Sequence, residues 1–170
     1  MSIWRAVFEG FTDGVLTAAA YRVQALPQSN RPSQGRFDRL CRELGWAVDE
    51  REAGGAALLH FNNRSGGVRK VRIADGDDVI VTFSAHGDAA IPARKVTGEV
   101  LAYLLCRNIK GSGLGMWGIC PDEHGNITFH LVYQALGGGL DAPTLKYICE
   151  SLVGEAVDFD GKMHEAGLLR

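Results

Sequence analysis

The chain is poor in the features that assign a chemistry by composition. It lacks an excess of either charge: 18 Lys and Arg stand against 20 Asp and Glu, for a formal charge of -2. A basic field able to hold nucleic acid by its phosphates is therefore excluded. It also lacks a long hydrophobic run, so nothing reads as a membrane-spanning helix. Glu9, Asp13 and Gly14 interrupt the first apolar positions, against the continuous apolar stretch of a secretory leader, and the chain reads as cytoplasmic. The four cysteines, Cys41, Cys106, Cys120 and Cys149, form no C-x-x-C pair, which removes the zinc-ribbon and thioredoxin-type readings. Three of them, Cys41, Cys106 and Cys149, fall inside apolar helical patterns, where a thiol packs as a small hydrophobe.

What the chain does have is glycine, 22 of 170 residues against an average share of about 7%. The glycines cluster between apolar runs, which predicts many tight turns and short strands. The length suits one domain. Residues 1–26 carry two helical stripes, and the polar, proline-bearing PQSNRPSQG of residues 27–35 reads as an exposed connection. The expected organisation is an N-terminal helical arm and linker over residues 1–35 and a single α+β domain over residues 36–170.

Within that domain Phe37, Leu40, Cys41 and Leu44 follow the helical period, and Gly45 stands where a left-handed cap is wanted. Four extended runs follow, near 46–51, 57–62, 69–74 and 79–84, separated by glycine turns. An odd-numbered loop at Asp75–Asp77 puts Val71 and Ile73 on one face with Val79, Val81 and Phe83. A second helix carries Val100, Leu101, Leu104 and Leu105. A further hairpin pairs 114–120 with 127–134, and a last helix over about 142–163 is capped by Asp141 with Pro143 in its first turn. The order α-β-β-β-β-α-β-β-α predicts an antiparallel sheet built from hairpins with flanking helices.

The chemical motifs resolve into turns. Gly111-x-Gly113-x-Gly115 leaves a helix and enters a strand, the reverse of a dinucleotide loop, and Gly137–Gly139 precedes a helix whose N-terminus Asp141 already occupies. Cys120, His124 and His130 have metal-like spacing. A four-residue turn at Asp122–Gly125, however, would place Cys120 opposite Ile127 and His130 opposite Trp117, on opposite faces, so no metal and no cofactor is expected. Ser84, His86 and Asp88 are neighbours in sequence without a nucleophile elbow, so no catalytic residues are assigned and an enzyme is not expected.

That same register gathers Met116, Gly118, Cys120, Ile127, Phe129, Leu131 and Tyr133 on a covered face. It leaves Trp117, Ile119, His130 and Val132 on the other, with Thr128 and Gln134, where a solvated sheet would show charge. This strip is the expected partner-binding site, with a homodimer or a captured segment as its occupant and coverage by the N-terminal helices as the bland alternative. A rival reading is a small-molecule or nucleotide sensor using the turn from Lys110 to Gly115 or a pocket beneath the last helix; a hydrolase ranks below both.

The segments FDRLCRELGW (37–46), LLCRNIKGSGLGMWGIC (104–120) and GLDAPTLKYICESLVGEAVDFD (139–160), in this order around short hairpins, resemble the bacterial YbjN-type proteins, named as sensory-transduction regulators. The resemblance covers about residues 37–165. It implies the fold of type III secretion chaperones, small α/β proteins that are usually dimeric and bind other proteins. It supplies no catalytic residues.

Overall fold

The computed structural model describes residues 33–52, 55–62, 68–75, 80–87, 90–110, 113–122 and 124–168. The predicted arm lies outside the described residues up to residue 32. Ser33–Gly35, read from sequence as the end of the connection, form the first turn of helix α1 (Ser33–Glu43). Gly45 closes that helix with φ 69°, and the Trp46 amide donates back to the Cys41 carbonyl at 2.8 Å, which satisfies a carbonyl the helix itself leaves open.

The strands are β1 (Glu50–Arg51), β2 (Ala57–Asn62), β3 (Val68–Asp75), β4 (Ile80–His86), β5 (Ile91–Pro92), β6 (Met116–Pro121) and β7 (Asn126–Leu136). Helix α2 (Gly98–Lys110) joins β5 to β6, and α3 (Ala142–Glu165) ends the domain. All pairs are antiparallel, in the order β1-β2-β3-β4-β7, with β5 and β6 both on β7. Both β4 and β6 pair with residues 130–132 of β7, and both β5 and β6 pair with Ile127. Strand β5 therefore continues the line of β4, and β6 is the edge.

Alternation sorts the sheet into two faces. Leu59, Val71, Ile73, Val81, Phe83, Ala85, Ile127, Phe129 and Leu131 point inward and are almost fully buried. Val71 lies opposite Ala85 and Ile73 opposite Phe83, so Val71, Ile73, Val81 and Phe83 share a face as the odd loop predicts; Val79 lies outside the described residues. Against this face packs α3, whose Leu145, Ile148, Cys149, Leu152, Ala156, Phe159 and Met163 form the buried stripe. Its start is fixed by the Asp141 carboxylate, which accepts the Thr144 amide at 2.8 Å. Each of its Leu, Ile, Phe and Met side chains contributes roughly 1.5–3 kcal/mol relative to exposure. A charged pair enters this core: Arg69 of β3 meets Asp160 of α3 at 2.6 Å.

The β6–β7 hairpin differs from the expected register by one residue. Trp117 pairs with Leu131, Cys120 with Thr128 and Pro121 with Ile127. The cause lies in the turn. The Asp122 carboxylate accepts the amides of His124 (2.9 Å) and Asn126 (2.7 Å) and the Asn126 side chain (2.9 Å), while Gly125 adopts φ 75°. Asp122 and Asn126 thereby close a three-residue loop with a left-handed last position, not a four-residue one. Changing the loop by one turns every β6 side chain over. Trp117, Ile119 and Pro121 face the helices with Ile127, Phe129 and Leu131, and Met116, Gly118 and Cys120 face the other way.

Candidate partner-binding surface

The four residues expected to form one strip lie on two faces. Trp117 is 6% exposed and stacks on Phe159 of α3, with ring centroids 4.2 Å apart. Its indole Nε1 lies 3.5 Å from Glu155 Oε1. Ile119 is half-buried on the same inner face. His130 and Val132 are half-buried on the outer face, Val132 opposite Met116 on one side and Ser84 on the other.

The inner side of β6 is tied to the helices by polar contacts that the sequence reading did not single out. The Asn108 side chain of α2 donates to the Trp117 carbonyl at 2.9 Å and accepts the Trp117 amide at 2.8 Å, as a neighbouring strand would. Behind it Arg107, about nine-tenths buried, pairs with Glu155 and with Asp158 (3.0 Å) and donates to the Tyr103 hydroxyl at 2.7 Å. Partial burial disfavours the Arg107 cation, but its tyrosine and carboxylate partners outweigh this and push its pKa up. Bonds from Lys162 and Arg107 hold Asp158 below the usual carboxylate range. A signal for Asn108 existed: it is one helical turn beyond Leu104, a polar residue on the buried stripe.

The outer face carries no helix among the described residues. Helices α1 and α3 pack together over the inner face, and α2 joins them through Val100, Leu104 and the stacking of Tyr103 on Phe159. Strands β4 and β7 present Ile80, Thr82, Ser84 and His86 beside Thr128, His130, Val132, Gln134 and Leu136 to the open side, and Leu136 is 71% exposed. Next to this face, α2 turns Ala102, Leu105, Cys106 and Ile109 outward at helical spacing, with Ile109 83% exposed. Met116, 66% exposed, follows Ile109 across the Asn108–Trp117 junction.

The remaining candidates fall as follows. Cys120 and His130 share the outer face, contrary to the four-residue-turn register, yet among the described residues no three ligating side chains come together. Thr128 Oγ1 and His130 Nε2 are 2.8 Å apart. Ser84 and His86 alternate along the same face, and Asp88 lies outside the described residues. A side chain at Gly113 would meet the Glu155 carboxylate at 2.9 Å, so this part of the glycine turn is backed by a negative charge that opposes a phosphate. A shallow depression of about 430 Å³ lies between α1 and β1, lined by Asp38, Cys41, Arg42, Trp46, Glu50 and Arg51. Cys41 and Cys149 are buried, and desolvation pushes both thiols up, away from reactivity.

This arrangement of sheet and helices is the YbjN-like, type III secretion chaperone-like fold. Solved structures share it, among them the following three. YbjN from E. coli aligns with a TM-score of 0.59 at 13% identity, over 82% of this chain and 96% of that one. SchA, in the HopA1–SchA chaperone–effector complex, aligns at 0.54 and 15%, over 78% and 99%. The Yersinia pestis type III secretion chaperone SycH, in complex with a stable fragment of YscM2, aligns at 0.50 and 17%, over 74% and 97%. No protein-family model matches the sequence, and no curated protein matches it. Among the described residues no helix is long and apolar enough to cross a membrane.

Proposed function

We propose that the protein is a non-enzymatic protein-binding or regulatory module of the cytoplasm that works as a homodimer and captures a partner segment on the open face of its sheet. The observation that carries this reading is the one-sided packing. Helices cover the inner face, while the β4–β7 part of the outer face carries Ile80, Val132 and Leu136 among uncharged hydroxyl, amide and histidine side chains, without the charge that Lys70 and Arg72 give the same face at β3. Two of the structures with this fold are complexes with protein partners, which agrees with such a role.

Val132 and His130, with Met116 beside them, are the anchors. Trp117 and Ile119 serve the surface from beneath by fixing β6. The outward stripe of α2 suits a second copy, because one apolar helix stripe is self-complementary about a two-fold axis. The test is a tagged pull-down from native-source lysate with light scattering on the purified protein, using Val132→Glu with Met116→Glu as the control. A stoichiometric protein lost in the control supports capture on the open face. A monomer that retains nothing removes the reading.

A further inference from the structure

Three of the five histidines meet on the open face. His60 of β2 lies opposite Lys70 of β3, and His86 of β4 lies opposite His130 of β7. The β3–β4 register, extended one residue beyond Val71 opposite Ala85, sets Lys70 opposite His86. The result is a single row, His60, Lys70, His86, His130, crossing four strands over about 14 Å and ending at Gly118, which has no side chain. His86 and His130 touch, with ring centroids 4.3 Å apart.

Among the described residues, the carboxylates near this row gather at its β1 end. His60 has Asp49 and Glu50 each 3.9 Å from a ring nitrogen, and Arg72 is bonded by Glu52 at 2.8 and 3.0 Å. Toward the centre the balance reverses. His86 faces Lys70 and His130, with Arg72 and Glu52 within electrostatic reach and Ser84 on its own strand. His130 faces His86 and Gly118, with Thr128 and Cys120 diagonal to it. Lys70 is exposed, and no described carboxylate lies within ion-pair distance of it. The centre of the row is thus a cationic strip whose charge grows on acidification, flanked along the strands by Ser84, Thr128 and the aliphatic Val132.

We propose that this row makes the open face an acid-strengthened docking surface for an acidic polypeptide segment, whose carboxylates sit over Lys70, His86 and His130. The proposal rests on the open face being the capture surface. Desolvation first, and neighbouring cations second, hold His86 and His130 below their usual range, so these two rings are largely neutral above pH 7 and charge only below the ordinary imidazole value of about 6.5. An acidic segment reverses that penalty because it supplies the missing opposite charge. Its own glutamates stay ionised until about pH 4.3, which leaves a window for tight binding between the two.

The test titrates the full chain against a rhodamine-labelled glutamate-rich peptide, with a lysine-rich peptide of equal length as control. Fluorescence anisotropy is followed at low salt near pH 7.5 and near pH 5.8. The expected result is affinity about tenfold or more higher at the lower pH, equivalent to one unit of coupled pKa change. That gain is lost in His86→Gln/His130→Gln, and Lys70→Gln weakens binding at both pH values. Circular dichroism checks the fold, and the exposed His86→Gln alone reads a partial loss if the double variant unfolds. An acid gain that survives in the double variant, or equal binding of the lysine-rich peptide, overturns the proposal. If acid dependence is absent while Val132→Glu still abolishes retention of a native protein, only the histidine row falls. If Val132→Glu changes neither, the capture surface falls with it.

Discussion

Trp117 is held from three directions: Phe159 stacks on its ring, Glu155 faces its indole nitrogen, and Asn108 brackets its backbone. Trp117→Ala removes the aromatic from a closed contact set and is expected to cost about 3–5 kcal/mol, read as a lower urea midpoint. Trp117→Glu should unfold the domain, since it sets a second carboxylate against Glu155 in a dry interior. Asn108→Ala leaves an amide and a carbonyl of the edge strand unpartnered and should cost about 1–3 kcal/mol by the same measurement. Gly115 tolerates no side chain, because φ is 97° and a Cβ would lie 2.7 Å from the Val132 carbonyl oxygen.

Elements with strong local signals could be read directly from the residues. Gly45 ends α1, Asp141 starts α3, and the stripe from Leu145 to Met163 is buried as its 3.6 period requires. The β3–β4 pairing was also legible, because hydrophobic alternation on both strands demands one parity. The β6–β7 pairing was not. Both parities of MWGIC put apolar residues on both faces, so the choice fell to the turn. The turn is decided by the Asp122 carboxylate gathering two amides, a contact that the sequence does not display. Asn108 and the Arg107–Glu155 pair are legible only as types, since their partners are distant in sequence. At this scale α2 gives its own prediction. Leu105→Glu with Ile109→Glu sits on an exposed face, so stability should stay within about 0.5 kcal/mol per substitution while light scattering reports a lower molar mass.

For the whole molecule, pH acts in two separate windows. His86 and His130 have folded-state values below their unfolded one, so the unfolded chain binds more protons. Their contribution to stability is complete above about pH 6.5 and is lost as pH falls through the folded values. Asp122, Asp141 and Asp158 are depressed by hydrogen bonds, above all from Asn126, Thr144 and Lys162 respectively. Their contribution is complete above about pH 3.9 and is lost only in stronger acid. Urea midpoints should therefore fall in two steps on acidification, and His86→Gln/His130→Gln should flatten the first while leaving the second.

The Asn108 clamp also sets how the periphery breathes. Outermost strands usually exchange their amide hydrogens with solvent quickly, yet the Trp117 amide is enclosed by a side chain rooted in a helix. In deuterated buffer it should exchange as slowly as amides in the middle of β7, while the Ile119 amide, two residues along the same edge, exchanges fast. The ratio of those two rates measures the free energy with which α2 lifts away from β6, residue by residue, without unfolding the rest.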